Sequence, residues 1–346
     1  MSEWQGPRRS AGPIAISAGI MAIVVAALAL WALRSLVLVI FAAILVALLL
    51  DAAARTLQRV VPVGQTVAVL ASVVVLLGLF LGTIGVLGAQ TLAELSELSS
   101  KIPTAVNQLE DWIDIGSIEA WITERLQSSD GTISILNGIS GMTSFVISAG
   151  TGVGLALAGG VFIALNPSLY RNGAVCLMPQ RFRDKGGQTL RVAGNALRAF
   201  LLGQLVAMLA VGLMTTVGLW FLGVSTAIAL GVIAGLLEFI PYVGPVASAI
   251  PAIAVGLVDG PTTALWVALL YVAIQQIEGT LLIPLIQRET VDLPPAVTVF
   301  SVVGFGLMFG PAGFVLAAPL TVLMIVVTRQ IWIPYANGQR DPESQG

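Results

Sequence analysis

The sequence predicts an all-α fold, a polytopic transmembrane helical bundle, and three observations carry that prediction. Hydrophobic types make up 57% of the 346 residues. Counting the 37 glycines lifts the apolar share to roughly 68%, against about 45–50% in a soluble domain. Charged residues are 10%, where about 25% is usual. No soluble globule of this size has the interior to hide so much apolar surface. The apolar residues also fall in continuous runs rather than in alternation, which selects helices over a barrel.

Crossing the hydrocarbon takes about 20 apolar residues in helical form. Eight stretches qualify or nearly qualify: 14–33, 36–50, 67–89, 142–165, 202–222, 226–240, 262–284 and 296–327. The first follows Arg8 and Arg9 and reads as a signal anchor, since a second long run begins just after Arg34. The second and sixth are short, the eighth is long, and 246–258 is too short to cross alone. The organisation that follows is N-terminal transmembrane helices (1–89), an extracytoplasmic amphipathic helical region (90–141), and a transmembrane helix with a basic cytoplasmic segment (142–201). A C-terminal transmembrane core (202–330) and a polar tail (331–346) complete it.

Charge assigns the sides. Arg8, Arg9, Arg55 and Arg59 flank the first two spans, and Arg171, Arg181, Arg183, Lys185, Arg191 and Arg198 face a single acid, Asp184, in 166–203. The 90–141 region holds eight acids and only Lys101 and Arg125. The positive-inside rule puts the basic segments and the N-terminus in the cytoplasm and 90–141 outside, in a plasma (inner) membrane. Leu92, Leu95, Leu98, Ile102, Val106, Leu109 and Ile113 recur at helical spacing within that outer region. A second amphipathic stretch, 187–202, is expected to lie along the cytoplasmic interface before the fifth span.

Composition excludes several functions. With no histidine, no Ser-His-Asp triad or histidine-ligated metal exists, and a single cysteine, Cys176, rules out an internal disulfide or CxxC site. A net charge of −2 without a long basic tract argues against nucleic acid, and no Walker motif provides for ATP. The expectation is a protein that is not an enzyme, takes no cofactor and holds no metal.

Polar residues inside apolar segments are then the informative ones, because a charge near the bilayer centre costs about 2.5–3.5 kcal/mol even on lenient scales. Glu238 and Glu278 are the clearest acids, with Gln204, Gln275 and Gln276 beside them. Glu238 opens a run through Pro241, Tyr242, Gly244 and Pro245 to Pro251 that a regular helix cannot continue. A Pro/Gly-broken, re-entrant element is expected there, freeing carbonyls that suit a cation or a donor-rich ligand. Tyr271, Gln275 and Glu278, at spacings of 4 and 3, form a polar stripe on one helix, with Glu278 expected to change protonation state. Gly310-Pro311 repeats the Gly244-Pro245 interruption, hinting at an internal repeat. Gly78, Gly82, Gly85 and Gly88, and the pairs Gly231/Gly235 and Gly306/Gly310, offer small faces for close helix packing.

Several of these motifs, in order, resemble the autoinducer-2 exporter family of PerM-type permeases. They are Ile240-Pro241-Tyr242-Val243-Gly244-Pro245 with Ile250-Pro251, Gln275-Gln276-Ile277-Glu278-Gly279 with Pro284, and Gly310 through Ala318-Pro319. Leu177-Met178-Pro179 and Leu202-Gly203-Gln204 also fit. Leu285, Pro294 and Asn166-Pro167 depart from the family pattern. The resemblance implies a multi-pass transporter exporting a small polar metabolite or signalling molecule, autoinducer-2-like, and acting as a homo-oligomer in the lipid bilayer. A sodium(lithium)/proton antiporter is the alternative it implies. By motif matching, Glu238, Pro241, Gly244, Gln275 and Glu278 would line the path, supported by Gln204, Tyr271, Pro245, Pro284 and Gly310.

Overall fold

The computed structural model describes residues 33–78, 150–282 and 294–332, with the isolated positions 21, 82, 85 and 284. Apart from Met21 and Leu33, the 14–33 span lies outside these residues, as do the amphipathic 90–141 region and the tail beyond 332. Among the described residues there are ten α-helices and no strands. They are α1 (Arg34–Val60), α2 (Gln65–Gly78), α3 (Gly150–Leu165), α4 (Pro167–Cys176), α5 (Arg183–Phe221), α6 (Ala227–Leu237), α7 (Val243–Val258), α8 (Pro261–Ile277), α9 (Pro295–Phe309) and α10 (Pro311–Val327). Single wide turns, Glu278–Leu282 and Thr328–Trp332, extend α8 and α10. With those turns, four helices are long and apolar enough to cross a membrane: α1, α5, α8 and α10. The bent pair α3–α4 makes a fifth if counted as one span.

The helices start where proline allows them to. Pro167, Pro261, Pro295 and Pro311 each stand in the first turn, where a missing N–H costs nothing and the fixed φ already suits the helix. At Gly310 the backbone takes φ 67° and ψ −151°, a region open in practice only to glycine, and the chain folds sharply from α9 into α10. The long 296–327 stretch is therefore two helices rather than one span. Conversely, 187–202 does not form a separate surface helix. It is the first part of α5, whose 39 residues run about 58 Å without a break. α6 and α7, with 11 and 16 residues, span about 16 and 24 Å, short of the roughly 30 Å of hydrocarbon.

α5 is the spine. One apolar cluster joins Leu38, Phe41 and Leu45 of α1, Leu197, Phe200 and Leu201 of α5, and Leu316 and Val322 of α10. A second joins α1, α2 and α3 through Leu50, Ala54, Ala68, Val69 and Ala164. A third joins the far end of α5 to α6, α7 and α8 through Leu219, Leu230, Ala252 and Val267. Glycine brings α5 and α6 together: a Cβ on Gly235 would stand 2.7 Å from the Met208 carbonyl oxygen, and one on Gly212 3.2 Å from that of Gly231. Gly78, Gly82 and Gly85 have nothing within 4 Å of such a Cβ. Outside these contacts α5 exposes Leu209, Leu213, Trp220 and Phe221, an apolar surface suited to lipid.

The bundle also contains an ion cluster that sequence reading overlooked. Asp51 of α1 accepts from Arg198 of α5 at 2.7 Å and from Arg55, one turn away, at 3.0 Å. The only local sign of it was an acid closing an apolar run four residues before an arginine.

Candidate functional site

The break between α6 and α7 is built from three tight turns. Glu238, Phe239 and Ile240 close the last turn of α6 by donating to the carbonyls of Ala234, Leu236 and Leu237. Tyr242 then takes φ 66° and ψ −37°, and the Val243 N–H donates to the Pro241 carbonyl at 2.8 Å. That is a three-residue γ-turn of the positive-φ kind, strained for any residue with a side chain. It is the one non-glycine positive φ among the described residues. Gly244 follows, packed directly on the Leu237 carbonyl and close to the Glu238 N–H, where no side chain fits.

Proline and glycine thus mark the break, but its position is narrower than their spacing suggests. Gly244 and Pro245 lie in the first turn of α7, and Pro251 lies inside the helix. Most carbonyls of the break are taken, rather than free as the sequence led one to expect. Those of Leu236, Leu237, Ile240 and Pro241 accept backbone N–H groups, and that of Glu238 accepts from Gln204 Nε2 of α5 at 2.6 Å.

Around this break the structure gathers several of the singled-out residues. Glu238 is 2% exposed and Glu278 8%. Their carboxyl groups lie beside each other, although 40 positions separate them in sequence. Gln275 Nε2 donates to Glu278 Oε2 at 3.0 Å, and the Tyr271 hydroxyl donates to the Ser248 carbonyl of α7 at 3.2 Å. Within the expected stripe on α8, Glu278 is buried and Tyr271 half-buried against α7, while Gln275 between them is exposed and reaches Glu278 from the surface. Glu278 itself opens the wide turn that ends the helix, a distortion common at functional positions. Glu238 Oε2 is buried with no hydrogen-bond partner among the described residues.

Chemically, this is a carboxyl pair in an apolar bundle. A carboxyl group can take up or release a proton, and two side by side are the residue type on which proton exchange could run. The vacant oxygen can accept from a hydroxyl or amine on a ligand.

Two supporting positions stand elsewhere. Pro284 is exposed beyond the wide turn, and Gly310 belongs to the separate α9–α10 fold. The two Gly-Pro interruptions are not equivalent: Pro311 is the first residue of α10, whereas Pro245 is the third of α7. α7 packs on α6 and α8, and α9 packs on α10. The two breaks share a neighbour, since Phe239 and Phe309 both rest on the α1–α5–α10 cluster.

Comparison with known proteins gives this arrangement a context. YueF of Bacillus subtilis (strain 168), a candidate transport protein by name, is 26% identical over 288 residues, 77% of this chain and 76% of its own length. YrrI of the same organism, named in the same way, is 27% identical over 274 residues, 74% and 76% of the two chains. The AI-2 transport protein TqsA of Escherichia coli (strain K12) is 29% identical over 177 residues, 49% of this chain and 52% of its own. These names speak of transport rather than cation exchange, so the antiport alternative gains no support from them. Residues 20–332 match the profile of the AI-2E family transporter, a span that holds both buried acids and both Gly-Pro breaks. The chain is a multi-pass helical membrane protein that belongs to the AI-2E transporter family.

Proposed function

We propose that this protein exports a small polar, hydroxyl-bearing solute across the plasma membrane, with its N-terminus in the cytoplasm and the Glu238–Glu278 pair on the transport path. The observation that carries this reading is the vacant Glu238 Oε2. It is a buried acceptor with no donor among the described residues, placed where a helix is interrupted within the bundle. An unpartnered buried polar group costs about 1–3 kcal/mol, which a ligand hydroxyl recovers by binding. Gln204 and Gln275 hold the two acids in place, and Pro241, Gly244 and Pro245 shape the break that brings Glu238 to Glu278. Autoinducer-2 enters as a solute class through the name of TqsA.

The test is efflux from loaded proteoliposomes, with polyhydroxylated and apolar solutes of similar size compared side by side. Glu238→Gln keeps the volume and adds a donor at the vacant acceptor. It should raise the half-saturating concentration of the polyol-like solute several-fold. Equal transport of both solutes, unchanged by that substitution, would remove the acid pair from the path.

A further inference from the structure

We infer that α4 and the basic corner after it form a docking surface for anionic phospholipid headgroups. Three features of the molecule support this. First, the chain leaves α3 at Leu165 and turns by 94° into α4, so a short helix runs crosswise to α3, the described part of the 142–165 stretch expected from sequence as a span. A helix so placed lies along the interface rather than through it.

Second, α4 divides its faces in an unusual way. It rests on α5 through its far end, where Ala174 and Val175 are half-buried and Val175 lies beside Gly187. At 100° per residue, Leu169, Tyr170, Gly173, Cys176 and Leu177 fall within one arc of about 120° on the side away from those two. Every one of them is exposed, Leu177 by 90%. Phe182 just beyond is exposed as well. No residue of α4 is buried, although half of them are apolar or aromatic.

Third, the charge is one-sided. Residues 167–191 carry Arg171, Arg181, Arg183, Lys185 and Arg191 against Asp184 alone. One of these bases is structural: Arg183 donates to the carbonyls of Met178 and Cys176, capping the C-terminal end of α4 and fixing the corner. Met178 packs on Gly186 and closes it. Arg171 on α4 and Lys185 and Arg191 in the first turns of α5 are exposed to solvent. An apolar face with a basic residue, Arg171, on the opposite side of the helix and more bases in the chain after it suits one occupant, a leaflet of anionic lipid: the face enters the acyl boundary, and the bases meet the phosphates at its surface at about 1 kcal/mol each.

The protein carries its own probe. Cys176 is the single cysteine and lies on the apolar arc, so a nitroxide attached there reports where that face sits. The full-length protein is placed in vesicles of phosphatidylcholine alone and of phosphatidylcholine with phosphatidylglycerol at about 3:1. The label should be open to oxygen and shielded from a water-soluble nickel chelate. Phosphatidylglycerol retained through purification should fall several-fold in Arg171→Gln and further in Arg171→Gln/Lys185→Gln/Arg191→Gln. Phosphatidylcholine should not change. A label open to the nickel chelate, or broadened by a second label as between two copies, would overturn the proposal. So would equal phosphatidylglycerol retention in wild type and a folded Arg171→Gln variant.

Discussion

Arg198 and Gln204 stand six residues apart on α5, and each fastens that helix to a different neighbour. Arg198 reaches Asp51 of α1 at 2.7 Å, and Gln204 reaches the Glu238 carbonyl at the α6–α7 break at 2.6 Å. About 9 Å of helix separates the two ties. A rotation of α5 that breaks one therefore disturbs the other.

The Asp51–Arg198 pair should prove a real stabiliser. Its side chains are only 12% and 22% exposed, between the surface case and a fully buried pair. Asp51→Asn should cost about 1–3 kcal/mol, with a coupling to Arg198→Gln that a double-mutant cycle on detergent-solubilised protein detects. Additive single effects would mean the pair contributes nothing.

Gly244 should tolerate no side chain. Even alanine there would drive its Cβ into the Leu237 carbonyl, and neither backbone segment is free to move. Overpacking of this kind costs about 1–3 kcal/mol, so Gly244→Ala should lower the melting temperature, and Gly244→Leu should abolish efflux while still inserting. Gly78→Ala, with open space around it, is the control and should melt like wild type.

Tyr242 should show strain directly. Glycine at that position relieves a backbone cost of about 1–3 kcal/mol and loses about 0.5–1 kcal/mol to unfolded-chain entropy. The ring is 43% exposed, so little packing is lost. Tyr242→Gly should therefore melt higher, by about 1 kcal/mol in stability. A lower melting temperature would show that the ring's packing outweighs the turn.

Neutralising the acids separates their roles. Glu278→Gln should lose transport and its pH dependence together, because no exchangeable proton then remains on the α8 side of the pair. Glu238→Gln should mainly weaken solute binding. Initial efflux rates across neutral pH, measured for both, distinguish the two outcomes. An unchanged rate and pH profile in Glu278→Gln would leave that residue a packing role only.

How far the sequence foretold this arrangement depends on how local each signal was. The helical class followed from composition, and the break after Glu238 followed from Pro241 and Gly244. Its register did not, because helix first turns accept proline, and so Pro245 sits within α7. The 187–202 segment has the polarity of an interfacial helix, and nothing local shows that it continues unbroken into the span. Spacing set Tyr271, Gln275 and Glu278 along one side of α8, but it did not show that Glu278 is buried while Gln275 stays exposed. Pairings between distant segments left no trace: Asp51 with Arg198, and Glu238 with Glu278, became visible only when the helices packed. Of the carbonyls expected to be free at the break, most are taken by local turns, and that of Glu238 by Gln204 from another helix, which the sequence could not show.

The shortness of α6 and α7 has a consequence for how the protein is made. A segment of 11 or 16 residues is a weak stop for an insertion machinery that favours about 20 apolar residues in a row. The Glu238 carboxyl at the junction adds a further penalty while it has no partner. That partner, Glu278, is synthesised 40 residues later, at the end of α8. The pair of short helices therefore settles into the bilayer only once α8 has emerged, and biogenesis waits on the residue that completes the site.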